Sequence, residues 1–254
     1  MHLIESLLIC TTSMCIGTSA LAASLPENIM VKDLPSGISE LVPVSINGGI
    51  IAAKGAGFDI TGEVETISGG YRLHFVMRNT RSGDRGSEVT VAFPVQQHNL
   101  SRWWKDYATV VPMKPGEIYA ESIPWGAEDF LQNGRTWRHI AKYPLCTVAG
   151  SGGAITVAVP IGSPRCFRLS CDPSKGNLLA SFDLGFSNSA VKNPQKADFT
   201  VLIYNTDPSW GMRDALDKYY KYYPSMLQAG SKATAHGPLR LQIPARSYAL
   251  GISV

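Results

Sequence analysis

The sequence predicts an all-β protein, a large two-layer antiparallel β-sandwich closed by one C-terminal amphipathic helix. Three observations carry that expectation. From Gly48 to Asn205, short apolar-alternating segments follow one another between clusters of Gly, Pro, Asn, Asp and Ser. No helical period interrupts the series, which excludes a parallel α/β sheet, whose crossovers need helices. Composition agrees, since 24 glycines, 16 prolines and 17% charged residues suit many strands joined by tight turns. The third observation is Asp207–Pro224, the only stretch with a strong helical period.

Taken in order, the chain of 254 residues opens on an apolar stretch, Leu3 to Ala22, ending in Ser19-Ala20-Leu21-Ala22-Ala23. Small residues at that spacing form an A-x-A-type cleavage site, so residues 1–22 are expected to be a signal peptide of an exported (periplasmic or extracellular) protein. Glu5 stands where such segments usually carry Lys or Arg. The stretch is too short and too rich in Ser and Thr for a membrane span, and none is expected after cleavage. Residues 23–47, with Pro26, Pro35, Gly37 and Pro43, read as a surface leader with room for an edge strand.

The sandwich is expected over residues 48–206. Gly49–Lys54, Phe58–Ile67 and Tyr71–Thr80 read as consecutive strands, and Leu73, Phe75 and Met77 alternate with Arg72, His74 and Arg78 as in a half-buried strand. Glu88–Val95 follows a polar turn. Tyr107–Met113 and Glu117–Ile123 read as a hairpin around Lys114-Pro115-Gly116. The spacing then predicts strands over Thr136–Ala149, Ala154–Pro160, Arg165–Cys171, Leu178–Gly185 and Lys196–Asn205.

Asp207 is a natural N-cap and Pro208 suits the first helical position, where its missing N–H costs nothing. Met212, Ala215, Leu216, Tyr219, Tyr220 and Tyr223 then fall on one apolar face, and Pro224 marks the stop, giving a helix over residues 207–224. Residues 225–254 form a small, polar, weakly strand-like tail, expected to be the truncated start of a following domain.

The chemistry is sparse. The net charge of +3 comes from scattered basic residues, so no nucleic-acid partner is expected. G-x-S-x-G, G-x-x-x-x-G-K-[ST], G-x-G-x-x-G and H-E-x-x-H are missing, as is C-x-x-C, so no catalytic residue, metal or cofactor is assigned. Once a signal peptide is removed, Cys146, Cys166 and Cys171 remain. The last two lie five positions apart in one strand, on opposite faces, and cannot bond to each other. Cys146 can bond to one of them, or all three stay thiols.

Aromatic residues are better placed. Trp103, Trp104 and Trp125 lie in or beside irregular loops that also hold His98, Asp106, Glu121, Glu128 and Asp129. Flat indole faces stack on the C–H faces of sugars, so these three tryptophans are the candidate carbohydrate-binding residues; the competing role is to plug one end of the sandwich. His98 with Glu121 is the pairing that could exchange protons in a sugar-epimerase reaction.

The stretch Trp210-Gly211-Met212-Arg213-Asp214-Ala215-Leu216-Asp217-Lys218-Tyr219-Tyr220-Lys221-Tyr222-Tyr223-Pro224 resembles the helix that closes the N-terminal β-sandwich of secreted bacterial glycoside-hydrolase-like proteins. Arg138–Leu145, Ala154–Pro160, Pro164–Phe167 and Phe182–Phe186 are similar too, and the likeness runs from about Gly48 to Pro224. The resemblance implies that the helix leads toward a (β/α)8 catalytic barrel, which needs about 250 further residues. The expected role is therefore a non-catalytic accessory domain in carbohydrate processing that packs against a barrel lying outside this chain. A free-standing carbohydrate-binding protein and an epimerase-like enzyme are the alternatives.

Overall fold

The computed structural model describes residues 24–95, 99–125, 138–162 and 165–224. The proposed signal peptide, His98, Glu128, Asp129, Trp137 and the tail from residue 225 lie outside the described residues.

In chain order the first strands are β1 (Asn28–Asp33), β2 (Ser39–Pro43), β3 (Ser45–Asn47), β4 (Ile50–Gly55), β5 (Phe58–Ile67) and β6 (Gly70–Asn79). Next come β7 (Arg85–Pro94), β8 (Arg102–Trp104), β9 (Val110–Pro112), β10 (Ser122–Trp125) and β11 (Arg138–Ala141). The series ends with β12 (Leu145–Gly150), β13 (Gly153–Ala158), β14 (Phe167–Asp172), β15 (Asn177–Phe186) and β16 (Lys196–Thr206), followed by the helix α1 (Met212–Tyr222). A nine-stranded sheet has the order β3-β4-β5-β6-β16-β13-β12-β8-β9 and faces a five-stranded sheet ordered β14-β15-β7-β1-β2. Every pairing is antiparallel. The two-layer antiparallel sandwich expected from the sequence is thus the fold.

Alternation places the core. Leu73, Phe75 and Met77 of β6 and Phe199, Val201 and Ile203 of β16 turn inward, to meet Val89, Val91 and Phe93 of β7 and Phe182 of β15. Phe199 stacks on Phe75 at 4.8 Å on its own sheet and meets Phe182 of the other sheet at 4.5 Å. A second fastening closes the sandwich at one end. Arg85 donates from Nε to Asp33 Oδ1 (2.8 Å) and from Nη1 to the Ala56 carbonyl (2.7 Å), with its guanidinium over the Phe58 ring. Glu40 accepts the Ala56 N–H at 2.7 Å, so the β1–β2 hairpin holds the β4–β5 turn of the opposite sheet. The leader therefore contributes three strands, β2 at the edge of the five-stranded sheet with β1 beside it, and β3 at the edge of the nine-stranded sheet.

The middle of the nine-stranded sheet is covered on both faces. Outward-facing Leu145, Ala149, Ala154, Ala158, Leu202 and Tyr204 lie under Met212, Ala215 and Tyr219 of α1. Tyrosine hydroxyls fix the helix along its length. Tyr204 donates to the Ala215 carbonyl (2.9 Å), Tyr219 to the Val159 carbonyl (2.7 Å) and Tyr222 to the Ser68 carbonyl (2.7 Å). Truncating a buried aromatic such as Tyr219 would cost about 3–5 kcal/mol.

Two local expectations differ from the structure. The helix begins at Met212, because Asp207 caps an earlier turn instead: its Oδ1 accepts the Ser209 N–H and its carbonyl accepts the Gly211 N–H (both 2.7 Å). The Tyr107–Ile123 hairpin does not form. The strand β9 pairs with β8, and Tyr119 exchanges backbone hydrogen bonds with Cys171 across to the other sheet. Of the two alternatives left open for the cysteines, the structure shows the thiols: among the described residues Cys146, Cys166 and Cys171 form no disulfide, with the Cys146 and Cys171 thiols buried in the core. Among the described residues, no helix is long and apolar enough to cross a membrane.

Candidate functional site

Trp103, Trp104 and Glu121, three of the residues singled out by sequence, meet where β8, β12 and the base of the β10–β11 ribbon come together. Trp103, Trp104, Lys105, Glu121, Ala141, Tyr143, Leu145, Cys146 and Leu169 line a crevice there. Its free interior is about 10 Å³, room for one water molecule and far below the volume of a sugar ring.

The walls follow from strand geometry. Successive residues of β8 point to opposite faces, so the two adjacent indoles part company. Trp103 enters the sandwich core, 7% exposed, with its ring 5.6 Å from that of Tyr119 and its N–H directed at the Cys146 thiol. Trp104, 6% exposed, goes to the outer face beneath the start of α1, where the Arg102 guanidinium lies over its ring. Neither presents a ring face to solvent. Trp125 ends β10, paired with Arg138 of β11, four residues beyond Glu121. At about 3.3 Å per residue, that sets its backbone about 13 Å along the ribbon from the crevice.

The polar groups are tied to one another. Lys142 donates its backbone N–H to the Glu121 carbonyl (3.0 Å) and its Nζ to Glu121 Oε1 (3.4 Å), and that hydrogen bond holds the ammonium pKa above its ordinary value. Asp106 Oδ1 accepts the Ala108 and Thr109 amides (2.8 and 2.7 Å), which depresses its carboxyl pKa. Burial pushes the Cys146 thiol up to about 12 and Cys171 further still, so neither is a thiolate nucleophile at neutral pH. Tyr119 Oη donates to Glu117 Oε2 and accepts the Lys114 N–H, both at 2.7 Å, which locks the loop under Trp103. Among the described residues, no group of His, Cys, Asp and Glu gathers as a metal site.

The structure therefore brings Trp103, Trp104, Glu121 and Asp106 into one neighbourhood and sets Trp125 apart on the ribbon. Sequence reasoning missed Lys142, Tyr143 and Tyr119, whose roles come from contacts with distant segments. Trp210, at the start of the helical stretch, is 60% exposed and anchors nothing there. The anchor at that point is Trp104, against which Gly211 sits so closely that a Cβ would lie 1.9 Å from the indole.

Fold and site together define an antiparallel β-sandwich with one helix bolted to its larger sheet and a water-sized crevice beside that helix. No family model matches the chain, and no curated protein matches it. Among solved structures it is similar to a protein described as a kojibiose phosphorylase from the human microbiome, at 7% identity and a TM-score of 0.33. That alignment covers 85% of this chain and 28% of the other, so the chain spans little more than a quarter of that protein. It is also similar to the Slr1438 protein of Synechocystis sp. PCC 6803 (8% identity, TM-score 0.36, 75% and 77% covered). A third is a protein described as an aldose 1-epimerase from Klebsiella pneumoniae subsp. pneumoniae (14% identity, TM-score 0.33, 72% and 58% covered). With so few identities, function has to be argued from this chain's own residues.

Proposed function

We propose that this chain is a non-catalytic accessory domain of an exported, glycoside-hydrolase-like protein, serving carbohydrate processing as a rigid platform for a catalytic module outside the chain. The observation that carries the reading is the seating of α1. Buried apolar residues, three tyrosine hydroxyls and the Trp104–Gly211 contact hold the helix to the sheet along its whole length. A helix held at so many points fixes the direction in which the chain leaves the sandwich, which is what a platform for a following module requires. The resemblance of Trp210–Pro224 to the closing helix of such sandwiches agrees with this.

The crevice supports the same reading. Glu121, the carboxylate named for proton transfer, is engaged by Lys142, and the interior accommodates a water rather than a sugar. A free-standing carbohydrate-binding role resting on Trp103, Trp104 and Trp125 would require the first two rings to leave their packed positions.

Incubating the purified chain with a panel of polysaccharides tests the proposal. The expected result is no release of reducing sugar above a heat-denatured control. Reducing ends that appear in proportion to folded protein would overturn it.

A further inference from the structure

Two large rings are left in water at the start of α1. Tyr107 is 61% exposed and Trp210 is 60% exposed, an expensive arrangement for apolar surface unless something covers it. Each ring rides on a turn that an aspartate makes rigid. Asp106 caps the Lys105–Thr109 turn through the Ala108 and Thr109 amides, and the Lys105 N–H closes it on the Thr109 carbonyl at 3.0 Å. Asp207 caps the turn that presents Trp210, by way of the Ser209 and Gly211 amides.

The turns are also fastened to each other. Arg213 Nε donates to the Tyr107 carbonyl at 3.1 Å, and the Arg213 N–H donates to the Trp210 carbonyl at 3.1 Å. Beside Trp210 the chain is braced from below by Trp104, wedged against Gly211. Two exposed rings are thereby held on one preorganised support.

Cations frame the same spot. Arg102 lies over the Trp104 ring on the outer face of the sheet, and Lys105 and Arg213 are exposed on the two turns. Among the described residues, none of the three takes part in a salt bridge. The nearby acids are occupied, with Asp106 and Asp207 capping turns and Asp214 paired with Lys218 at 2.8 Å.

We propose that Tyr107 and Trp210 form a stacking platform for an anionic polysaccharide, with Arg102, Lys105 and Arg213 receiving its carboxylates. Aromatic faces take the apolar C–H faces of sugar rings, and guanidinium groups bind carboxylates in planar, two-pronged fashion. This deepens the carbohydrate-related reading above by giving it a binding surface and a class of sugar.

The test is calorimetric titration of the full chain with oligogalacturonate and oligoguluronate at about 0.15 M salt, with cello- and xylo-oligosaccharides as neutral probes. Binding is expected for the uronates alone. Trp210→Ala and Tyr107→Ala should each weaken it about tenfold or more with the melting temperature unchanged, since both rings are exposed. Lys105→Ala should weaken it several-fold and flatten its salt dependence.

No binding of either uronate, or equal binding of the neutral probes, would overturn the proposal. So would uronate binding that survives Trp210→Ala, because that substitution leaves the charge untouched and only non-specific attraction would persist. Failure here leaves the accessory-domain reading standing. Reducing-sugar release by the Trp210→Ala protein would sink that reading and not this one.

Discussion

Replacing Gly211 by Ala is the sharpest perturbation of the helix seat. Gly211 has φ 51° and ψ −121°, a conformation that side-chain-bearing residues avoid, and holding Ala there costs about 1–3 kcal/mol. Its new Cβ would lie 1.9 Å from Trp104 Cε2 and 2.2 Å from Cζ2, so the indole must move. Trp104 is 6% exposed and packed between sheet and helix, and forced displacement in a filled core adds about 1–3 kcal/mol. The expected loss is therefore about 2–6 kcal/mol, measured as the shift in urea midpoint at constant slope. Gly37→Ala is the control. It has φ 72° but nothing within 4 Å of the added Cβ, so it reports backbone strain alone. Combining Gly211→Ala with Trp104→Ala should cost less than the two losses added, because the indole that blocks the Cβ is gone. A Gly211→Ala protein no less stable than Gly37→Ala, or strictly additive losses, would refute the argument.

Two further outcomes follow from the electrostatics. Hydrogen bonds from Ser36, and then from Arg85, lower the Asp33 pKa from 3.8 to about 2. A depressed folded-state value means the contribution is full above pH 4 and fades as pH falls toward 2, so Asp33→Asn should flatten the stability-versus-pH curve in that window, followed by denaturant melts. Burial raises the Cys146 and Cys171 thiols while Cys166 is half-buried. Iodoacetamide at neutral pH, read by peptide mass spectrometry, should label Cys166 ahead of both, which react only on unfolding.

The strands were the most legible part of the chain because their signal is local. Phe58–Ile67 carries its boundaries in its own turn residues, and the alternation of Leu73, Phe75 and Met77 names the buried face directly. What resisted reading depends on partners distant in sequence. Lys114-Pro115-Gly116 does turn the chain, but Tyr119 then bridges to Cys171 rather than to the preceding segment. Asp207-Pro208 is a real capping pair, yet it caps the turn before the helix, since Gly211 has to pass over Trp104. Trp103 and Trp104 looked like neighbours with one job. Strand alternation sends one to the core and the other under the helix, a consequence available in principle once Arg102–Trp104 is recognised as a strand. Tyr107 and Trp210 left a fainter trace, each following a turn-capping aspartate.

Native-state hydrogen exchange measures most directly whether helix and sandwich form one body. The amides of Met212–Tyr222 and those of β13 and β16 should exchange with the same free energy, that of global unfolding, because the helix cannot lift without exposing Tyr204, Tyr219 and Trp104. Helix amides that exchange orders of magnitude faster than the strands beneath them would contradict the account.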